Sequence, residues 1–291
     1  MHPLRIWQVS DTHLSRSHAY FQDNWNEFVN LVEAEKPDFV IHSGDVAFNA
    51  PEVPDDILFG RQQLARLTVS WRVIPGNHDV GEPGEAPRLE QPVSAASLAL
   101  WRQHFGDDCF CHDVGAWRLI GLNSELLGSG LDAEASHWAF LSAALADAAG
   151  RAIGLFVHKP LFTIAEDEGQ SGMTVLPAAR RRLLAALKKA GVKFIGSGHL
   201  HAYGSRTTDV FECVWCPTTA FVDPSRPRPT EVTWRTGFVE WQLTGDGFSH
   251  RLVQPPLFGN LDITNWTRSS GSTISLPPRP VNRQLCGTHC V

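Results

Sequence analysis

The chain has 291 residues, 43% of them hydrophobic and 19% charged, with 31 acidic against 25 basic residues and a formal net charge of −6. That is long and apolar enough to bury a sizeable core, which excludes an intrinsically disordered class. A general nucleic-acid binder needs a basic footprint to displace counterions; here the balance is acidic and only 5 of the basic residues are lysine. No apolar run approaches the roughly 18 to 20 residues that span a bilayer, so no membrane partner is expected.

In chain order, Leu4–Ser10 reads as an opening strand. The stretch Met1–Asp11 (MHPLRIWQVSD) carries neither the basic nor the apolar region of an export signal, which points to a cytoplasmic protein. A helix over Asn24–Glu35, a strand at Asp38–His42, a helix over Asp56–Leu67 and a strand at Val69–Ile74 follow. Gly81–Phe105 is long and proline-bearing and reads as a lid or specificity loop. Beyond it come a strand at Trp117–Asn123, a helix over Ala133–Ala149 with Asp132 as its N-cap, and a strand at Ile153–His158. A helix over Pro177–Ala190, with proline in its first turn, leads into a strand at Val192–Gly196.

Alternation of this kind predicts an α/β domain. From Val210 the pattern shifts to short strands at Phe211–Trp215, Thr236–Leu243 and Phe248–Val253, which predict a second, more antiparallel sheet within one domain of residues 1–254. Residues 255–291 read as a loop-rich C-terminal extension. Cys213-Val-Trp-Cys216 has redox or zinc-site spacing, but it lacks a second such pair and lies in a strand-like run, so both cysteines read as buried structural residues.

Polar residues of interest collect at strand ends. Asp11 and His13 follow the first strand, Gly44-Asp45 the second and Gly76-Asn77-His78-Asp79 the third. His158 ends a later strand, and Gly198-His199-Leu200-His201 follow another. In open α/β sheets ligands bind beyond the carboxyl ends of strands, so these side chains can converge. Carboxylate, amide and imidazole donors without thiolate suit Mn, Fe, Zn or Ni better than Ca or a structural zinc. Seven donors exceed what one open-site ion needs but fit two ions sharing a bridging carboxylate. Paired ions clamp the attacking and leaving oxygens of an in-line phosphoryl displacement. Two divalent ions outweigh two aspartates and a hydroxide, so such a site attracts a phosphate oxyanion within an acidic protein. His42 reads as a satisfied strand histidine, and Trp71, Trp101, Trp117 and Trp138 as core residues.

The ordered series DxH, GD, GNHD, His and GHxH over residues 4–203 resembles the calcineurin-like metallophosphoesterases, which include purple acid phosphatases and class III cyclic-nucleotide phosphodiesterases. The resemblance implies a four-layer sandwich of two mixed β-sheets flanked by helices. It implies one ion on Asp11, His13 and His201, a second on Asn77, His158 and His199, and Asp45 bridging them. His78 would act on the substrate, with Asp79 orienting it by a hydrogen bond, and hydroxide held between the ions would attack. The expected activity is hydrolysis of a small phosphodiester, a cyclic nucleotide leading, with two Mn, Fe or Zn ions as cofactors; a phosphomonoesterase or a non-catalytic scaffold of the same fold are the alternatives. Retention of His78 and of every ligand position favours the enzyme. His158-Lys159-Pro160 and the closing GHLH look more like the phosphodiesterases, and neither Tyr20 nor Tyr203 matches the tyrosine of the purple enzymes. After Asp45 the segment Val46–Asn49 lacks an acidic residue that many relatives carry, which bears on substrate identity.

Overall fold

The computed structural model describes residues 3–84, 91–225 and 231–264. The first half runs β1 (Leu4–Val9), α1 (Gln22–Glu35), β2 (Phe39–His42), α2 (Asp55–Leu64), β3 (Trp71–Val73), α3 (Asn77–Val80), α4 (Ala95–Phe105), β4 (Phe110–Val114) and β5 (Trp117–Leu122). The second runs α5 (Asp132–Ala146), β6 (Ala152–Val157), α6 (Pro177–Ala190), β7 (Phe194–Ser197), β8 (Gly204–Thr207) and β9 (Glu212–Trp215). It closes with β10 (Phe221–Val222), β11 (Phe238–Thr244), β12 (Gly247–Val253) and β13 (Leu261–Asp262).

Two large mixed sheets form the body. One has the order β12-β11-β1-β2-β3, with β1, β2 and β3 parallel and β11 and β12 antiparallel; the other has the order β4-β5-β6-β7-β9-β8, with β5, β6, β7 and β9 parallel. Both faces of most strands are buried, and the period-2 alternation assigns each residue to a layer. Ile6, Phe39 and Ile41 point into the space between the sheets with Trp117, Leu119, Phe156, Phe194 and Trp241. Trp7, Val9 and Val40 turn outward onto Trp25, Phe28 and Val32 of α1, which recur at helical spacing. Ile153, Leu155 and Val157 turn the other way, onto Leu183, Leu184 and Leu187 of α6. The result is four layers, helix–sheet–sheet–helix.

Aromatic rings fill the gap between the sheets: Phe194 stacks on Trp241 with centroids 4.2 Å apart. Gln8 carries polar links across the gap. It is fully buried, accepts from Trp241 Nε1 (3.0 Å) and donates to Ser43 Oγ (2.9 Å) within its own sheet. It meets the other sheet through its side-chain amide donating to Ser197 O (3.4 Å) and its backbone carbonyl accepting from Cys216 Sγ (3.2 Å), so its amide is satisfied where an unpaired one would be costly.

The C-terminal strands divide between the two sheets where the sequence pattern predicts one separate antiparallel sheet. β9 lies parallel to β7, whereas β11 pairs with β1. Edge pairing, invisible in a local pattern, decides this. Within the segment expected to be a lid, Ala95–Phe105 is instead helix α4, capped by Ser94 and burying Leu98 and Trp101; the stretch 85–90 lies outside the described residues. Asp132 is the first residue of α5 and Leu131 occupies the cap. Cys213 faces the α6 side and Cys216 the space between sheets, because residues three apart on a strand point to opposite faces; this separates the pair as a chelating or disulfide unit. Of the C-terminal stretch, Gly259 N donates to Asn24 Oδ1 (2.7 Å) and β13 pairs with β10; 265–291, with His289 and Cys290, lie outside the described residues. No helix among the described residues is long and apolar enough to cross a membrane.

Gly154 of β6 faces Phe194, and a Cβ there would penetrate the ring. Gly154→Val is therefore expected to lower unfolding free energy by about 1–3 kcal/mol or more through overpacking. Gly169→Ala, with nothing within 4 Å of the added carbon, should leave the urea midpoint unchanged. Equal midpoints for the two variants would contradict this packing account.

Candidate metal centre

Every expected site residue lies just past the carboxyl end of a parallel strand: Asp11 and His13 after β1, Asp45 after β2, Asn77 and His78 after β3, His158 after β6, and His199 and His201 after β7. Because three of these strands belong to one sheet and two to the other, the site is a seam between sheets. Backbone bonds join its loops: Asp11 N–H donates to Gly44 O (3.0 Å), His13 N–H to Asp45 O (3.1 Å) and Gly198 N–H to His158 O (2.9 Å).

The local backbone is unusual. Asp11, His13, Asp45, His199 and His201 all have φ between 46° and 65°, a left-handed conformation that non-glycine residues rarely adopt. Such conformations persist when surrounding contacts over-determine them, and they cluster at functional sites. The motif glycines have a steric role. A Cβ on Gly44 would stand 2.6 Å from His158 Nδ1, and one on Gly76 or Gly198 would collide with Asp45 or with Ser10 and Asp11.

Three groups of donors lie close enough to hold an ion: Asp11 with His13 and His201, His13 with Asp45 and His78, and Asp45 with His158 and His199. Asp45 Oδ2 is 3.8 Å from His13 Nε2 and 3.3 Å from His158 Nε2, so one carboxylate stands between the two halves. Asn77 Oδ1 joins the second half, 3.1 Å from His158 Nε2. The seven expected ligands are buried, and His78 is half-buried.

The outer nitrogens of three imidazoles meet backbone carbonyls. His201 Nδ1 lies 2.8 Å from Phe221 O, His158 Nδ1 2.9 Å from Ser43 O and His199 Nε2 3.2 Å from Gly172 O. A carbonyl accepts only, so each of these nitrogens carries the proton and the other nitrogen of a neutral ring is a bare lone pair. Those lone pairs point at one another and at carboxylates. His201 Nε2 is 3.2 Å from both His13 Nε2 and Asp11 Oδ1, and His199 Nδ1 is 3.2 Å from His158 Nε2. Acceptors packed against acceptors repel unless a cation lies among them. Burial alone would raise the carboxyls of Asp11 and Asp45, yet the surrounding imidazoles hold both below the usual range. Burial would lower His158, but Asp45, Asp11 and Glu125 outweigh it and push that imidazole up to about 10. The donors thus fit a pair of imidazole- and carboxylate-binding ions.

His42 is neutral: burial pulls it down to about 3, and it meets Thr12 Oγ1 at 3.0 Å. His78 stands edge-on to His13, ring centroids 4.7 Å apart, and its backbone N–H donates to Asp45 Oδ1 (2.8 Å). Its Nδ1 meets Phe48 O at 2.7 Å. The expected orienting bond from Asp79 is not what the geometry contains. The Asp79 carboxylate caps its own helix at Gly76 N–H (2.8 Å) and accepts from Ala47 (2.8 Å) and Val46 (3.2 Å), fastening the Asp45 loop to α3. Burial first, and the Asp45 charge second, push that carboxyl up to about 7.

Sequence reasoning passed over the orienting carbonyls, which leave no trace in side-chain identity. It also passed over a buried cluster beside the site, Lys159 with Glu82 and Glu125. Glu125 follows β5 just as the site residues follow their strands, and that placement was the available signal.

Fold and donor set together define a two-sheet α/β protein with adjoining clusters of candidate metal ligands at the strand ends. Residues 4–203 match the calcineurin-like phosphoesterase family, and the chain belongs to it; members use dinuclear metal sites. It is 27% identical over 222 residues to the Danio rerio serine/threonine-protein phosphatase CPPED1, covering 68% of this chain and 66% of that protein. The match spans about three fifths to two thirds of such phosphatase relatives. A probable glycerophosphodiester phosphodiesterase GpdQ of Arcobacter nitrofigilis is 26% identical over 282 residues, covering 92% of this chain and 90% of that one. A dimetal phosphatase from Danio rerio shares the fold, with TM-score 0.59, 13% identity and coverage of 87% of this chain and 98% of that chain.

Asp79→Ala removes an acceptor from three buried N–H groups, each worth about 1–3 kcal/mol when left unpaired. The variant is expected to unfold at a clearly lower urea concentration and to bind Mn more weakly. A variant of native stability whose activity falls as in His78→Ala would restore Asp79 to the orienting role.

Proposed function

We propose that this protein is a metal-dependent phosphodiesterase in which Asp11, His13 and His201 hold one ion, Asn77, His158 and His199 a second, and Asp45 lies between them. The observation that carries this is the set of imidazoles whose outer nitrogens are committed to carbonyls, so that their bare nitrogens converge on two buried carboxylates. Imidazole, amide and carboxylate without thiolate suit Mn, Fe or Zn. When bound, such a pair supplies Lewis-acid charge for the phosphoryl oxygens and lowers the pKa of a water to near neutrality.

The chain's own groups do the rest. Carbonyls of Phe221, Ser43 and Gly172 fix ring orientation, which raises the basicity of the inner nitrogens. His78, half-buried and tied at Nδ1 to Phe48 O, presents its other nitrogen as the proton carrier for the leaving oxygen. The backbone bond from His78 to Asp45 couples its position to the metal carboxylate. Two observations favour a diester over a monoester. The phosphodiesterase relative aligns along nearly the whole chain, and a cavity beside the second half-site leaves room for a second ester arm.

Three measurements test this. Chelation should abolish hydrolysis of bis(nitrophenyl) phosphate, and Mn, Fe, Co or Zn should restore it; metal analysis should find two ions per wild-type chain and loss of correct pairing in Asp45→Ala. One tight ion, indifferent to Asp45→Ala, would sink the dinuclear assignment. His78→Ala should keep both ions while kcat falls by roughly 10²- to 10⁴-fold, and by less for nitrophenolate than for alkoxide leaving groups. The diester reading fails if kcat/KM for mono-nitrophenyl phosphate exceeds that for the diester by tenfold, about 1.4 kcal/mol in transition-state binding.

A further inference from the structure

Three imidazoles of the metal centre take their orientation from backbone carbonyls, and two of those carbonyls sit on braced segments. Phe221 lies in β10, and Ser43 follows β2 and is itself bonded to β1 through Val9 O (2.9 Å). The third carbonyl differs. Gly172, whose oxygen meets His199 Nε2 at 3.2 Å, is exposed and belongs to residues 159–176, which form neither helix nor strand. A carbonyl on such a loop orients an imidazole only as firmly as the loop itself is held.

The ends of the loop are joined where Val175 N–H donates to Pro160 O (3.0 Å). Inside it, the Glu168 carboxylate gathers the N–H groups of Thr163 (3.1 Å), Ile164 (2.8 Å) and Ala165 (3.3 Å). The carbonyls are gathered by Arg180, which reaches in from the first turn of α6 and is 1% exposed. Its Nη2 donates to Glu168 O, and its Nη1 to Leu161 O (3.3 Å) and Thr174 Oγ1 (3.5 Å). Thr174 Oγ1 in turn meets Ser171 Oγ (3.2 Å), which accepts from Met173 N–H (3.3 Å). Gly172 lies inside that turn, so the guanidinium reaches its carbonyl through two hydroxyls. As an ion pair Arg180 is poor, since Glu168 Oε1 stands 3.9 Å away, and a buried charge so loosely partnered is weak as a source of stability. As a clamp it is well suited, because the guanidinium is a rigid fork of five donors.

We propose that Arg180 is a positioning residue for the second half-site: it fixes the loop so that the Gly172 carbonyl holds the His199 ring with its Nδ1 lone pair turned inward. This rests on the metal assignment above. Arg180 acts through the loop, its bonds going to two carbonyls and a hydroxyl and not to a donor side chain. The first half-site has no share in this device, because His201 takes its orientation from Phe221. Loss of the clamp therefore loosens one ion and spares the other, which a general loss of packing around α6 would not do. Orienting partners of metal-bound histidines are worth roughly 10- to 100-fold in metal affinity, and that is the scale on which Arg180 acts.

The test is a Mn titration of the metal-free full chain, followed by electron paramagnetic resonance, with Asn77→Ala marking which ion belongs to the second half-site. In Arg180→Met the dissociation constant of that ion should rise at least tenfold while that of the other ion stays within about twofold. Arg180→Lys should lie between Arg180→Met and the wild type. Hydrolysis of bis(nitrophenyl) phosphate by Arg180→Met should fall at limiting Mn and recover in excess Mn, as a positioning loss does and a loss of chemistry does not. Thr174→Val keeps the charge and the volume but cuts the link from Arg180 to Ser171, and it should weaken the same ion by at least about threefold. If Arg180→Met does not fold, Thr174→Val decides. Equal weakening of both ions, or a smaller effect than these on the second, overturns the positioning role. A wild type that binds fewer than two Mn refutes the metal assignment itself; one that binds two, with Arg180→Met indistinguishable from it, refutes only the part given to Arg180.

Discussion

Buried acceptors facing buried acceptors are the constraint around which this molecule is organised. Asp11 and Asp45 are carboxylates out of contact with water, and the imidazoles of His158, His199 and His201 turn lone pairs toward them. An uncompensated arrangement of this kind costs several kcal/mol, so positive charge must enter. The lifting of His158 to about 10 is the same demand expressed through a proton. A divalent ion meets it better, because one ion can serve several donors at once.

Holding the donors in place requires a rigid frame, and the frame explains much of the remaining structure. Left-handed φ at five donor positions costs about 1–3 kcal/mol at each and persists only where neighbours leave no alternative. Glycines at 44, 76 and 198 let the strand ends approach within collision distance of a methyl group. Asp79 fastens the Asp45 loop to α3, and Thr218 Oγ donates to the Asp11 carbonyl at 2.9 Å. Behind these loops the aromatic interior, crossed by the bond from Gln8 to Ser197 O, locks one sheet against the other. Movement of either sheet would separate Asp45 from His158.

A second charge cluster lies along the same seam. Lys159, Glu82 and Glu125 stand where the loops after β3, β5 and β6 meet, one step outward from the donors. Cations held at those donors would let a chain of net negative charge draw in a phosphate oxyanion.

The four layers were implied by the family resemblance, whereas residue order alone determined the α/β class, since period-2 and helical patterns follow from where side chains point in a strand or a helix. It also determined which side chains collect at the strand ends, since the DxH, GD, GNHD and GHLH elements are local and carry their glycines with them. The tertiary structure decided what local patterns cannot encode. The pairing of β11 with β1 and of β9 with β7 depends on partners up to 239 residues distant. That Phe48, and not Asp79, holds His78 depends on which acceptor the folded loop brings within 2.7 Å. The Lys159 cluster depends on three loops meeting in space. Each is a contact between segments remote in sequence, and for that physical reason no short stretch of residues announces it.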